Sequence, residues 1–223
     1  MISRFEEIKR LFEEFDSAVE GEINLFMIGG GVLLFHGLKP ATKDIDLVVE
    51  TGAEFFECER ALKNIGFETK LPSPHYKHFN LSQIFTRGDF RIDLFNKRVC
   101  KGFSLSSSMA NRALKEVSMA NIALFLCSLE DIFLFKTMTE REGDLSDCIA
   151  LAKMGLDWNA MIAELKLQVS GNDIWITWVA ERLELLQERG LIIPIMAEVA
   201  EMVEKYYSQL EQKQKNQTYR QLR

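Results

Sequence analysis

Cysteine and histidine are scarce. The 223 residues hold four cysteines, at positions 58, 100, 127 and 148, and three histidines. The cysteines form no CxxC pair and no short-spaced cluster. That argues against a disulfide framework and fits a reduced, cytoplasmic protein with free thiols. His75 and His78, in HYKH, are the only close histidine pair and read as a surface loop before a zinc site. Positive charge is also in short supply: 27 Lys and Arg stand against 33 Asp and Glu, a net charge of −6. A protein that coats nucleic-acid duplexes needs clustered cations, so that class is disfavoured, although a local basic groove is not. No apolar run reaches the length of a membrane span; 23–38 is broken by Asn24, three glycines and His36. The opening MISRFEEIKRLFEEF is amphipathic and acidic, unlike a secretory signal. There is no internal repeat.

What is present is an ordinary globular composition, 47% hydrophobic and 27% charged, enough to fold most of the chain. Phe5, Ile8, Leu11, Phe12, Phe15 and Val19 recur at helical spacing, with Ser3 and Glu6 placed to cap the helix. NLFMI at 24–28 reads as a buried strand, broken by Gly29-Gly30-Gly31, and GVLLFH at 31–36 as a short helix closed by Gly37. DIDLVVE at 44–50 is a strand by its alternation. A helix over 53–64, an edge strand over 67–71 ahead of Pro72 and Pro74, and a hairpin of 77–85 with 89–95 follow. Residues 103–112 are ambiguous, and 114–125 hold one or two short strands. Beyond Ser128, which reads as a helix cap, only helices are expected: 129–140, 144–155, 158–168, 173–189 and 194–214. The polar tail from Glu211 is expected to fray. The organisation is thus an α/β (α+β) portion, residues 1–127, followed by an all-helical portion, residues 128–223.

The chemistry concentrates in IGGGVLLFHGLKPATKDIDL, residues 28–47. Gly29 and Gly30 allow close backbone approach to a ligand, and the helix behind them offers free N–H groups to an anion. Asp44 and Asp46 lie two apart on a strand, so both point to one face while Ile45 and Leu47 point into the core. Two carboxylates facing a phosphate-binding turn suit a magnesium ion bridging them to a triphosphate. FRIDLF places Asp93 on a later strand with Ile92 and Leu94 facing away, so that three acids can converge; without metal they would repel one another. Thr42 and Lys43 are placed to touch phosphate. Trp175 and Trp178 read as core.

The glycine pair, thirteen residues, then DID, and later RID resemble the nucleotidyltransferase superfamily of DNA polymerase β. GLKPATKDIDLVVE is especially similar to its small prokaryotic branch, which includes AbiEii-type toxins. The resemblance covers roughly residues 24–96. It implies a mixed sheet with packed helices, phosphates held at Gly29 and Gly30, and two metal ions, Mg²⁺ or Mn²⁺, held by Asp44, Asp46 and Asp93. EDIFLFKTMTEREGDLSD is similar to the pattern in which a helix supplies a Lys, then an Arg, then two acids: Lys136, Arg141, Asp144 and Asp147. Lys136 and Arg141 would then bind nucleotide, with Asp144 and Asp147 ordering them; a salt-bridged helix junction is the plainer reading. Ahead of the xTxDxD loop, where that family carries an arginine, this chain has Lys39. The activity implied is transfer of a nucleoside monophosphate from an NTP to an acceptor hydroxyl, catalysed by Asp44, Asp46 and Asp93, with release of pyrophosphate. The acceptor stays open between a small molecule, a tRNA end and a protein side chain. An AbiEii-type toxin would have an antitoxin partner, and a non-catalytic nucleotide-binding module on the same fold is the rival.

Overall fold

The structure, a computed structural model, describes residues 1–71, 79–100, 103–169 and 173–221. The HYKH histidines, Pro72, Pro74, the first residues of the expected 77–85 strand and the Gly171-Asn172 break lie outside the described residues. The expected α/β architecture is present: a mixed sheet with packed helices, then a run of helices.

Among the described residues, eight strands form the sheet, with β6 (Phe103–Ser104) a short appendix on β5 (Phe90–Cys100). The main path runs β3 (Glu68–Lys70), β4 (Phe79–Arg87), β5 (Phe90–Cys100), β2 (Ile45–Val49), β1 (Ile23–Ile28), β8 (Ile122–Leu126), β7 (Leu114–Ser118). β2 pairs parallel with β5 and antiparallel with β1, and β1 pairs parallel with β8. Ile45, Leu47, Ile92 and Leu94 are fully buried, as their alternation predicts. The β4–β5 hairpin turns at Gly88-Asp89, tighter than the three-residue join over 86–88 that the expected strands leave, because the Thr86–Arg91 and Arg87–Phe90 pairs extend the ladder. The ambiguous stretch after Phe103 resolves into β6 and α4 (Ser107–Arg112), capped by Ser106.

α1 (Phe5–Ala18) buries Phe5, Ile8, Leu11, Phe12 and Phe15. Its cap lies one residue later than Ser3 and Glu6 suggest: the Arg4 backbone N–H donates to the Glu7 carboxylate at 3.1 Å. α2 (Gly29–Phe35) also departs from expectation, since Gly29 and Gly30 belong to the helix itself. α3 (Gly52–Asn64) is capped by Thr51.

After β8 come α5 (Leu129–Thr137), α6 (Glu142–Ala152), α7 (Trp158–Gln168), α8 (Trp175–Glu188) and α9 (Met196–Gln221). Ser128 caps α5, accepting from the Asp131 N–H. The tail expected to fray continues α9 instead, in keeping with its Glu, Gln and Lys, which are good helix formers. One buried apolar cluster runs from Ile2 through the sheet into the helices, ending at Val199. Trp175 is at its heart, edge-on to Phe103 at 4.9 Å. No helix of the described residues is long and apolar enough to cross a membrane.

Candidate active site

The C-terminal end of β1 and the start of β2 meet the helical portion across a cleft of about 380 Å³. Its wall includes Gly29, Gly30, Thr42, Lys43, Asp44, Asp46, Asp93, Lys136, Arg141 and Asp144. Of the candidate catalytic, metal and nucleotide-binding residues and their two supporting acids, only Asp147 lies off that wall, one helical turn from Asp144.

Strand pairing explains why the acids meet. Asp46 is directly opposite Asp93 in the β2–β5 ladder and opposite Ile28 in the β1–β2 ladder. Asp44 precedes β2 by one residue. The carboxyl of Asp46 retains a partly open side toward the cleft but is otherwise packed round by protein. Burial, then the neighbouring Asp44 and Asp93 charges, push it well above the usual carboxylate range. Burial also raises Asp93, opposed by Arg91. Arg91 grips Asp93 as a fork: Nε donates to Oδ1 and Nη2 to Oδ2, both at 2.6 Å. Sequence reasoning missed Arg91, although its place two residues before Asp93 on one strand puts both on the same face.

The glycines do not simply leave room for a ligand. A Cβ on Gly29 would come 2.1 Å from Asp46 Oδ2, and the residue has φ +67°. A Cβ on Gly30 would come 2.4 Å from the Thr42 hydroxyl oxygen. The space above both is therefore taken by the chain's own polar groups. Thr42 is buried, its hydroxyl donating to the Asp44 carbonyl at 3.0 Å. Its backbone is pinned by a two-way bridge to Ile2, at 2.9 and 2.8 Å. Thr42 thereby holds the loop that delivers Asp44.

Across the cleft, Lys136 near the end of α5 is buried. Its ammonium is 2.7 Å from Asp144 Oδ1 and 2.6 Å from Asp147 Oδ2. Burial alone would lower its pKa, but the two carboxylates outweigh burial and raise it. Asp144 also accepts from Thr139 and, at 2.8 Å, from Arg141 Nε. Asp147 Oδ2 is shared with Lys39, 2.7 Å away. Burial raises Asp144, yet the attraction of Lys136 and its hydrogen bonds bring it below the usual value. Lys39 also lines the cleft, and its pairing with Asp147 has no local signature in sequence.

Among the described residues, no three His, Cys, Asp or Glu side chains form a ready cluster for a metal ion. Asp44, Asp46 and Asp93 nonetheless supply hard oxygen donors of the kind Mg²⁺ or Mn²⁺ takes. The mutual repulsion at Asp46 is of the sort a dication relieves. The donor set fits such an ion, with Asp93 contested by Arg91.

No protein-family model matches the sequence, and no curated protein matches it. Among solved structures, the chain is similar to ANT(2″)-Ia, whose crystal structure is in complex with adenylyl-2″-tobramycin. The TM-score is 0.50 at 12% identity, over 74% of this chain and 96% of that one. The likeness is one of fold: this chain has a nucleotidyltransferase-type mixed sheet with packed helices and a helical C-terminal region.

Proposed function

We propose that the protein is a metal-dependent nucleotidyltransferase that moves a nucleoside monophosphate from an NTP to an acceptor hydroxyl. The observation that carries this reading is the register match of Asp46 with Asp93, beside Asp44, in a cleft that also holds the start of α2 and a set of cations. The acceptor oxygen attacks the α-phosphorus, the bond to the bridging α–β oxygen breaks, and pyrophosphate leaves. Divalent ions, when bound, would neutralise charge on the phosphates and lower the pKa of the attacking hydroxyl. Asp44 and Asp46 would hold both ions, and Asp93, steadied by Arg91, would join them at the ion nearer the acceptor and take the acceptor's proton. The amides opening α2, held in place by the Gly29–Asp46 and Gly30–Thr42 contacts, face the phosphates, with Lys43 and Arg141 at the rim. Little further charge stabilisation is required of the protein, because positioning and metal carry most of phosphoryl transfer.

A second reading, a nucleotide-binding module without catalysis, is favoured by the Arg91 fork, which occupies both oxygens of Asp93. Incubation with each α-labelled NTP, Mg²⁺ or Mn²⁺, and in turn total tRNA, a protein lysate and a small-molecule extract separates the two. Label appearing in one acceptor pool, with equimolar pyrophosphate, and lost in Asp46→Asn, supports transfer and identifies the acceptor class. Tight Mn²⁺-dependent nucleotide binding with no transfer in any pool supports the binding module.

A further inference from the structure

The cations and carboxylates on the helical side of the cleft form one alternating chain: Lys39, Asp147, Lys136, Asp144, Arg141. Every link is an ion pair of 2.6–2.8 Å. Exposure along the chain is uneven. The side chains of Lys136, Asp144 and Asp147 are 8%, 6% and 8% exposed, whereas those of Lys39 and Arg141 are 33% and 65% exposed. All three cations line the cleft, but the middle one is enclosed between two acids while the outer two are far more exposed. Asp144 and Asp147 lie one turn apart on α6, so a single ammonium from α5 can clasp both.

We propose that Lys136 is a positioning residue and that it acts through Asp144 and Asp147 on the two outer cations, with Lys39 and Arg141 as the arms that grip a triphosphate. Lys39 is thereby a nucleotide-binding residue. The inference rests on the nucleotidyltransferase reading of the cleft and departs from a direct phosphate contact by Lys136. Two physical points carry it. To reach a ligand, the buried ammonium would give up two ion pairs of 2.6–2.7 Å and leave each acid to one more exposed outer cation. An ammonium has three N–H donors, so Lys39 can stay on Asp147 and still donate to an anion.

The arrangement predicts an effect opposite in sign to simple electrostatics. Asp147→Asn removes a negative charge near the bound phosphates, so Coulomb attraction alone would tighten ATP binding. If Asp147 instead holds Lys39 in place, ATP binding weakens. The measurement is titration of ATP and AMP, with Mn²⁺, at fixed ionic strength, on wild type, Asp147→Asn, Lys39→Met and the double variant. The melting temperature is recorded for each. The expected result is ATP affinity reduced about three- to tenfold in either single variant, AMP affinity changed less than twofold, and a double variant no weaker than Lys39→Met, since the two act as one unit. Lys136→Arg, which retains the charge in a longer, planar form, should lower ATP affinity more than AMP affinity, because it displaces both arms. Unchanged or tighter ATP binding in Asp147→Asn, or additive losses in the double variant, would overturn the inference while leaving the nucleotidyltransferase reading intact. A wild-type chain that binds no NTP would overturn that reading and this inference with it.

Discussion

Two buried clusters in this molecule have the same plan, one cation between two acids, and different surroundings. Arg112, on α4, donates to Asp131 on α5 through Nε and Nη2 and to Glu164 on α7 at 2.8 Å. The remaining acceptor capacity is filled by neutral groups: Ser128 on Asp131, and Ser108 and Gln168 on Glu164. Lys136 is likewise set between Asp144 and Asp147, but two further cations fill the outer positions. The first cluster is closed and fastens α4, α5 and α7 together. The second ends in charges that face the cleft. The same plan gives a strut where neutral groups satisfy its outermost lone pairs, and a chain of charges ending at the cleft where cations do.

The sharpest way to break the comparison is Arg112→Met. It leaves Asp131 and Glu164, both fully buried, without their cation. The expected loss is about 3–5 kcal/mol, read by urea unfolding, with nucleotide affinity of the folded fraction unchanged. Gly30→Ala comes next. Its new Cβ must displace the Thr42 hydroxyl from the Asp44 carbonyl, an overpacking cost of about 1–3 kcal/mol. Both the melting temperature and Mn²⁺-dependent nucleotide binding should fall. Arg141→Met should do the reverse of Arg112→Met: nearly unchanged unfolding, since the side chain is largely exposed, and ATP affinity down by about tenfold, equivalent to about 1.4 kcal/mol.

Asp46 offers a third environment, a carboxylate enclosed among other carboxylates. Its folded pKa is raised above the unfolded value, so between the two the native state binds the extra proton. Stability therefore falls as pH rises through that window, and Asp46→Asn should remove the loss. The variant should melt higher than wild type at neutral pH, by about 2–4 °C for each kcal/mol gained, and the gain should vanish below about pH 4. A variant that melts lower at neutral pH would mean that Asp46 is better compensated than its neighbours indicate. The smallest effect belongs to the Arg189–Glu142 pair on the surface, where Glu142→Gln should leave the melting temperature unchanged.

The sheet side of the site was far more legible in sequence than the helical side. Alternation in DIDLVVE and FRIDLF separates core-facing Ile and Leu from outward-facing Asp, and that pattern is local. The same logic would have caught Arg91. The helical start at Gly29 was not legible, because three glycines in a row argue for a turn. What overrides propensity there is the close approach of Asp46 and Thr42, which only the folded chain reveals. Lys136 was found by its motif, but its burial was not, and neither Lys39–Asp147 nor Arg112–Asp131–Glu164 leaves any local trace. These pairs join segments far apart in the chain, so periodicity carries no record of them.

The opposition of Asp46 and Asp93 across β2 and β5 also bears on how the chain finds its fold. If β5 slipped by one residue, Ile92 or Leu94 would stand at the cleft and Asp93 would be driven into the apolar layer, where Ile45 and Leu47 now meet their partners. A buried, unpaired carboxylate is costly enough to reject that arrangement. On the proposed function, Asp93 thus doubles as a mark of alignment: a chain that mispairs these strands loses both the proposed site and stability. Selection for that site and selection for faithful folding would then act on the same side chain.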